Sequence, residues 1–207
     1  MLGVLGISGW KIGIIVMSKK DRIKKYGNRY ERRDVAEDPK YSAKVLAKLA
    51  KDKNWEVRRA VAWNPSAPAE TLVVLANDED WRVRYAVAEN PSTPAYVLNK
   101  LATDENINVR LAVVENPNTP GNGLNVLATD RSSYIRQSVV ENPNATDDIL
   151  LIASRDRSQY VREAVARNPK IPPEAVKRLS LSKVSRIRKA LSENPSVPEH
   201  IRVGLSL

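Results

Sequence analysis

Residues 91–116 read PSTPAYVLNKLATDENINVRLAVVEN. The stretch holds two helical patterns between two Asn-Pro steps. Leu98 and Leu101 fall three apart on one face of the first. Val109, Ala112 and Val113 make an i, i+3, i+4 stripe on the second. Asn116 stands before Pro117, which pushes it out of the helical region and closes the unit. The same boundary recurs at Asn64-Pro65, Asn90-Pro91, Asn142-Pro143, Asn168-Pro169 and Asn194-Pro195, always 26 residues on, and Asp38-Pro39 extends the series one step back. A fixed period of this length marks stacked supersecondary units, each too small to bury its own apolar face. The expectation is an all-α solenoid of 26-residue two-helix repeats.

The units predict their own local signals. Pro68, Pro94, Pro120, Pro172 and Pro198 precede the first helical pattern, where a missing N–H costs nothing. Thr93 and Thr119 stand where a capping hydroxyl would act. Each helix spans about ten residues, so stacking must supply the stability. Residues 39–194 make six full units. Residues 27–38 read as a lone second helix and 195–207 as a lone first helix, natural half-repeat caps. Residues 1–26 form an apolar, then basic, tail. Its stretch Met1–Met17 is shorter than a spanning helix and interrupted by Lys11, so it reads as an over-called start or a packed tail rather than a membrane anchor.

Two charged positions keep the period. Arg32, Arg58, Arg84, Arg110, Arg136, Arg162 and Arg188 are 26 apart, and Asp52, Asp78, Asp104, Asp130 and Asp156 each precede an Arg by six. Residues that recur in every unit serve stacking, whereas residues that serve a partner vary. The expectation is therefore an internal ladder, with Arg110 paired to Asp104 of its own unit, and with the Asp also accepting N–H groups at the start of the second helix. Glu89, Glu115, Glu141 and Glu193, beside Asn-Pro, read as solvated face or inter-repeat bonding.

The pattern Asn-Pro-x-x-Pro-x3-Leu-x2-Leu-Ala-x-Asp-x4-Val-Arg-x-Ala-Val-Ala resembles the variant leucine-rich repeat, a relative of HEAT-type repeats, over residues 39–207. The resemblance implies a right-handed superhelix with concave and convex faces. Founding members of that family also carry an N-terminal cysteine cluster for iron and sulfur. This chain has no cysteine, so that feature does not carry over, and no cofactor is implied. Some HEAT-like arrays are DNA glycosylases with a Trp and an Asp one turn apart. Here Arg59 follows Trp55 and Tyr85 follows Trp81 at that spacing, so the pattern is absent.

Positions that change from unit to unit are free to meet a partner. On the second helix, the i, i+4, i+8 triplet is Trp55, Arg59, Trp63, then Trp81, Tyr85, Glu89, then Ile107, Leu111, Glu115, and polar thereafter. Trp55, Arg59, Trp63, Trp81, Tyr85, Ile107 and Leu111 are the candidate protein-binding residues, Trp and Tyr being enriched where partners dock. The bland alternative is that Trp55 and Trp81 fill gaps between units. The net charge of +10 divides into +9 over residues 1–64, −4 over 65–168 and +5 over 169–207. Basic ends suggest nucleic acid as the alternative partner, through Lys19, Lys20, Lys24, Lys25, Arg29 and Arg33 at one end and Lys177, Arg178, Lys183, Arg186 and Lys189 at the other. An acidic middle works against a polyanion lying along the whole array. Nothing assembles into a catalytic set: the single histidine, His200, lies in the terminal half-repeat. The expected protein is a cytoplasmic, non-enzymatic scaffold with a macromolecular rather than small-molecule partner.

Overall fold

The computed structural model describes residues 27–206. These residues contain fourteen α-helices and no strand. They are α1 (Arg29–Glu37), α2 (Ala43–Leu49), α3 (Trp55–Trp63), α4 (Ala69–Leu75), α5 (Trp81–Glu89), α6 (Ala95–Leu101), α7 (Ile107–Glu115), α8 (Gly121–Leu127), α9 (Ser133–Glu141), α10 (Asp147–Ala153), α11 (Gln159–Arg167), α12 (Pro173–Ser180), α13 (Ser185–Glu193) and α14 (Glu199–Ser206). The odd-numbered helices are the second helices of the units and each is nine residues long; the even-numbered first helices have seven or eight.

Each second helix packs on the next, from α1 through α13, while the first helices touch one another less and dock mainly on the second helices of their own and the preceding unit. The second-helix layer is thus the more closely spaced of the two. Any curvature of the stack puts that layer on the inner side. The core lies between the layers. Leu72, Leu75, Leu98, Leu101, Leu124 and Leu127 come from the first helices, and Val57, Val61, Val83, Val87, Val109 and Val113 from the second; all are fully or almost fully buried. Ala60, Ala86 and Ala112 are buried with them and allow the second helices to approach closely.

Helix boundaries follow from local chemistry, with one correction. Asn54, Asp80 and Asn106 cap the second helices, each side chain accepting the N–H two residues on. Pro68, Pro94 and Pro120 are N-cap residues in extended conformation rather than members of the first turn. Thr93 consequently does not cap: it is buried, and its hydroxyl donates to the carbonyl of Val87 at 2.6 Å, at the end of the preceding helix.

Asparagine does more than stop a helix. Asn90 Nδ2 donates to the carbonyls of Ala62 at 2.6 Å and Asn64 at 3.1 Å, both in the preceding unit, while its Oδ1 accepts from Ser92 N–H at 2.8 Å. Asn116 does the same to Ala88, Asn90 and Asn118. Asn64 and Asn194 repeat both donations. The last carbonyls of a helix have no partner within it. The asparagine of the next unit supplies one, so the residue that ends a helix also fastens it to its neighbour.

The arginine ladder exists, but its register differs from the expected one. Arg110 Nε and Nη2 grip Asp130 Oδ2 and Oδ1 at 2.6 and 3.2 Å, and Asp130 belongs to the following unit. Asp104 is held instead by Arg84 of the preceding unit. The rungs are Arg32–Asp52, Arg58–Asp78, Arg84–Asp104, Arg110–Asp130 and Arg136–Asp156. Within its own unit, Arg110 Nη1 donates to the backbone carbonyl of Asp104 at 2.8 Å. Each aspartate also accepts the N–H two residues on, as Asp104 does from Asn106, close to the expected helix start. An arginine reaching outward across the unit boundary, with a fork that matches a carboxylate, ties adjacent units more directly than a pair inside one unit. Burial pushes the carboxyl groups of Asp52 and Asp156 upward; the hydrogen bonds from Arg32 and Arg136, with those from Asn54 and Ser158 N–H, outweigh it and hold both below the ordinary carboxylate value.

Candidate interaction face

The variable triplets lie on the outer side of the second-helix layer, opposite the Val/Ala stripe. At the N-terminal end of this face the side chains form one connected cluster across α3 and α5. The Arg59 guanidinium lies 4.6 Å from the centre of the Trp63 ring and 5.3 Å from that of Trp55. Arg82, from the next unit, stacks on Trp55 at 3.5 Å. A cation over an indole face is attracted by the ring quadrupole, so the two arginines fix the indoles. Arg59 Nε is buried without a hydrogen-bond partner among the described residues, so the ring faces are its compensation there.

Glu89 is the other organiser. Its carboxylate accepts from Trp63 Nε1–H at 2.7 Å and from the Tyr85 hydroxyl at 2.5 Å. The bond to Glu89 pushes the Tyr85 phenol up to about 12, with burial acting in the same direction. Tyr85 in turn meets Trp81 edge to face, ring centres 6.5 Å apart. Seven side chains from two units thus hold one another in a set geometry.

The candidate residues divide by exposure. Trp63 is 46% exposed, Trp81 37% and Ile107 41%, all large for apolar groups. Trp55, Tyr85 and Leu111 are half-buried and rest against the core. Trp55 therefore combines the two expected roles: it fills space between units and supports the exposed rings. Arg59 is half-buried. Arg82 and Glu89 complete the cluster and were not among the candidates. Arg82 meets Trp55 across a unit boundary, 27 residues away, where helical spacing within one segment gives no signal. Tyr30, Tyr134 and Tyr160 are also exposed on this layer, one position after Arg29, Ser133 and Gln159, which open their helices as Trp55 opens α3; Arg186 covers the Tyr160 ring at 5.0 Å.

The basic candidates are less concentrated. Lys19, Lys20, Lys24 and Lys25 lie outside the described residues, as does the apolar stretch 1–17. Arg29 contacts Tyr30 and Glu56, and Arg33 pairs with Asp34 and Glu37. At the other end, Lys183 and Lys189 line a groove of about 510 Å³ with Ser185, Arg188, Ser192, Glu193 and Leu205. Arg186 reaches Glu163, Lys189 reaches Glu193, and Arg178 donates to Ser154 Oγ. Lys177 is exposed on α12. Among the described residues no three histidines, cysteines or carboxylates gather as a metal site, and no helix is long and apolar enough to cross a membrane.

Stacked helix pairs with ladders between them define an α-solenoid. The repeat is of the leucine-rich repeat variant type: the model of the family described as "Leucine rich repeat variant" matches residues 55–80, one full period. A solved structure described as a leucine-rich repeat variant with a novel repetitive protein structural motif is similar over 91% of this chain and 79% of its own, with a TM-score of 0.69 and 23% identity, a likeness of fold. No curated protein matches the chain.

Proposed function

We propose that the chain is a non-enzymatic scaffold that binds a protein partner through the aromatic end of its second-helix face. The observation that supports this most is the Trp55–Arg59–Trp63–Trp81–Tyr85 cluster, which is fixed by its own cation–π and hydrogen bonds and still leaves Trp63 and Trp81 open to solvent. Rigid aromatic and arginine side chains that lose little freedom on binding are the usual anchors of protein interfaces. The test is a pull-down with and without nuclease, followed by affinity measurement on the captured partner. Trp63→Ala or Trp81→Ala should weaken binding by about 30-fold, a loss of roughly 2 kcal/mol. The fold should remain intact, because both side chains are largely outside the core. Undiminished affinity in both variants would overturn the assignment.

The basic groove beside Lys183 and Lys189 favours a second reading, nucleic acid at the C-terminal end. Nuclease-sensitive capture supports it, as does affinity that falls steeply with salt, with a log–log slope near −0.9 per duplex phosphate contact. Binding that depends on Trp63 and only modestly on salt supports the protein partner.

A further inference from the structure

The arginine ladder has one rung with an arginine and no carboxylate. Arg162 sits in register: its Nη1 donates to the carbonyl of Asp156, as Arg136 does to Asp130 and Arg110 to Asp104. In every preceding rung the Nε and Nη2 fork then grips an aspartate twenty residues on. Twenty residues after Arg162 stands Ser182. The serine also sits in register, because its Oγ accepts the N–H of Val184, two residues on, as Asp156 accepts from Ser158 and Asp130 from Ser132. Both halves of the rung are therefore in place. The carboxylate is missing between them, and the Arg162 fork has no partner among the described residues. Arg58, Arg84, Arg110 and Arg136 are buried; Arg162 is half-buried, as is Arg32, whose fork is filled by Asp52.

The surroundings favour an anion in that gap. Residues 175–192 carry six cations, Lys177, Arg178, Lys183, Arg186, Arg188 and Lys189, against which stand Glu163, paired with Arg186, and Glu193, paired with Lys189. Arg188, the next arginine of the ladder, lines the groove with Lys183 and Lys189. A guanidinium fork is shaped for two oxygens of a planar or tetrahedral oxyanion, and a positive field raises the local concentration of such ions.

We infer that the Arg162–Ser182 rung is a binding site for an exogenous oxyanion, a carboxylate or a phosphate group, which takes the position that aspartate fills in the other rungs. Ligand binding there completes the ladder and couples the fifth unit to the sixth. The inference does not depend on the protein-partner reading, since the rung lies apart from the aromatic cluster.

The test is thermal unfolding of the full chain with inorganic phosphate and, separately, acetate, at ionic strength held constant with sodium chloride. Phosphate at about ten times its dissociation constant should raise the melting temperature by about 2–4 °C. Ser182→Asp should raise the melting temperature without ligand and abolish the response, because the fork is then filled internally. Leu181→Asp, the same charge change at an adjacent residue that is 82% exposed, should retain the response. Arg162→Lys keeps the charge, removes the fork and should also lose it, which decides the matter if the aspartate variant does not fold. An equal response to acetate at higher concentration assigns a carboxylate-accepting site; a response to phosphate alone assigns a phosphate site. A wild-type chain that phosphate does not stabilise, or a response that survives in both Ser182→Asp and Arg162→Lys, overturns the inference.

Discussion

Removing Arg110 tests the ladder and its register together. The residue is 4% exposed and makes four hydrogen bonds: two to the Asp130 carboxylate, at 2.6 and 3.2 Å, and two to the carbonyls of Asp104 and Glu105, at 2.8 and 3.1 Å. Arg110→Ala leaves Asp130 nearly buried with only the Ser132 N–H as donor. Breaking a buried pair from one side costs about 3–5 kcal/mol, because the stranded charge is not compensated. Water can enter the space left by the long side chain and rehydrate Asp130, so the lower end, about 3 kcal/mol, is expected. In a chain of this size that is a fall of about 6–12 °C in melting temperature. Circular dichroism during heating or urea titration provides the measurement.

A double-mutant cycle then reads the register. Arg110 should couple to Asp130→Ala by more than about 1 kcal/mol and to Asp104→Ala by less than about 0.5 kcal/mol, since Arg110 reaches only the backbone of Asp104. Arg84, by contrast, should couple strongly to Asp104. Stronger coupling of Arg110 to Asp104 than to Asp130 would refute the inter-unit assignment. An unchanged melting temperature for Arg110→Ala would refute the ladder itself.

Asn116→Ala should cost about 2–3 kcal/mol in urea denaturation, because two carbonyls of the preceding unit lose their partner in a buried position and the part-buried Asn118 N–H loses its acceptor; a loss under about 0.5 kcal/mol would deny asparagine its fastening role. Asp52 and Asp156 titrate below the ordinary carboxylate value, so their contribution is complete above the unfolded value and disappears as the pH falls through the folded values. Melting temperature should therefore hold between about pH 7 and 5 and drop below about pH 4, and the Asp52→Asn, Asp156→Asn double variant should be less stable at pH 7 with a flatter acid limb. Deleting residues 195–207 removes α14, whose Ile201 and Leu205 pack against the core; light scattering should then detect association, and a monodisperse truncated chain would show that α14 is not a cap.

The fold was legible because its signals repeat. Leu98, Val109 and Asn116 each have counterparts 26 residues away, and a pattern present six times is hard to produce without a structural cause. The second-helix face was legible for the complementary reason, since Trp55, Trp81 and Ile107 occupy one position and differ. What the sequence hid were distances across unit boundaries. Asp104 lies six residues from Arg110 and Asp130 lies twenty, and spacing alone favours the nearer. The extended loop before each second helix carries the aspartate back beneath the arginine of the preceding unit, which helical periodicity does not express. Arg82 on Trp55 and Glu89 under Trp63 were hidden by the same geometry. Thr93 was misread because a hydroxyl before proline has two acceptable uses, and burial against Val87 selects the one that faces inward.

The division between constant and variable residues has an energetic consequence. Asn-Pro, the buried leucines and, at every boundary up to the fifth unit, the arginine fork fasten one unit to the next through contacts that do not involve the outer positions of the second helix. Those positions can change from Trp81 to Ile107 to Ser133 while the Arg–Asp and Asn–carbonyl ladders on either side are kept. The aromatic cluster is an exception, as are the contacts of Arg186 with Tyr160 and Glu163. Arg82–Trp55 and Glu89–Trp63 cross the α3–α5 boundary on the variable face, so the residues proposed for recognition also serve stacking there. Trp55→Ala should accordingly lose both stability and binding, whereas Trp63→Ala should lose mainly binding. Urea denaturation beside affinity separates them: Trp55→Ala should shift the unfolding free energy by about 2 kcal/mol or more, as expected for a large ring resting on the core, and Trp63→Ala by less than about 1 kcal/mol, as expected for an exposed one. Equal destabilisation by the two substitutions would mean that the cluster is a structural clamp throughout, and that the partner must be sought elsewhere on the face.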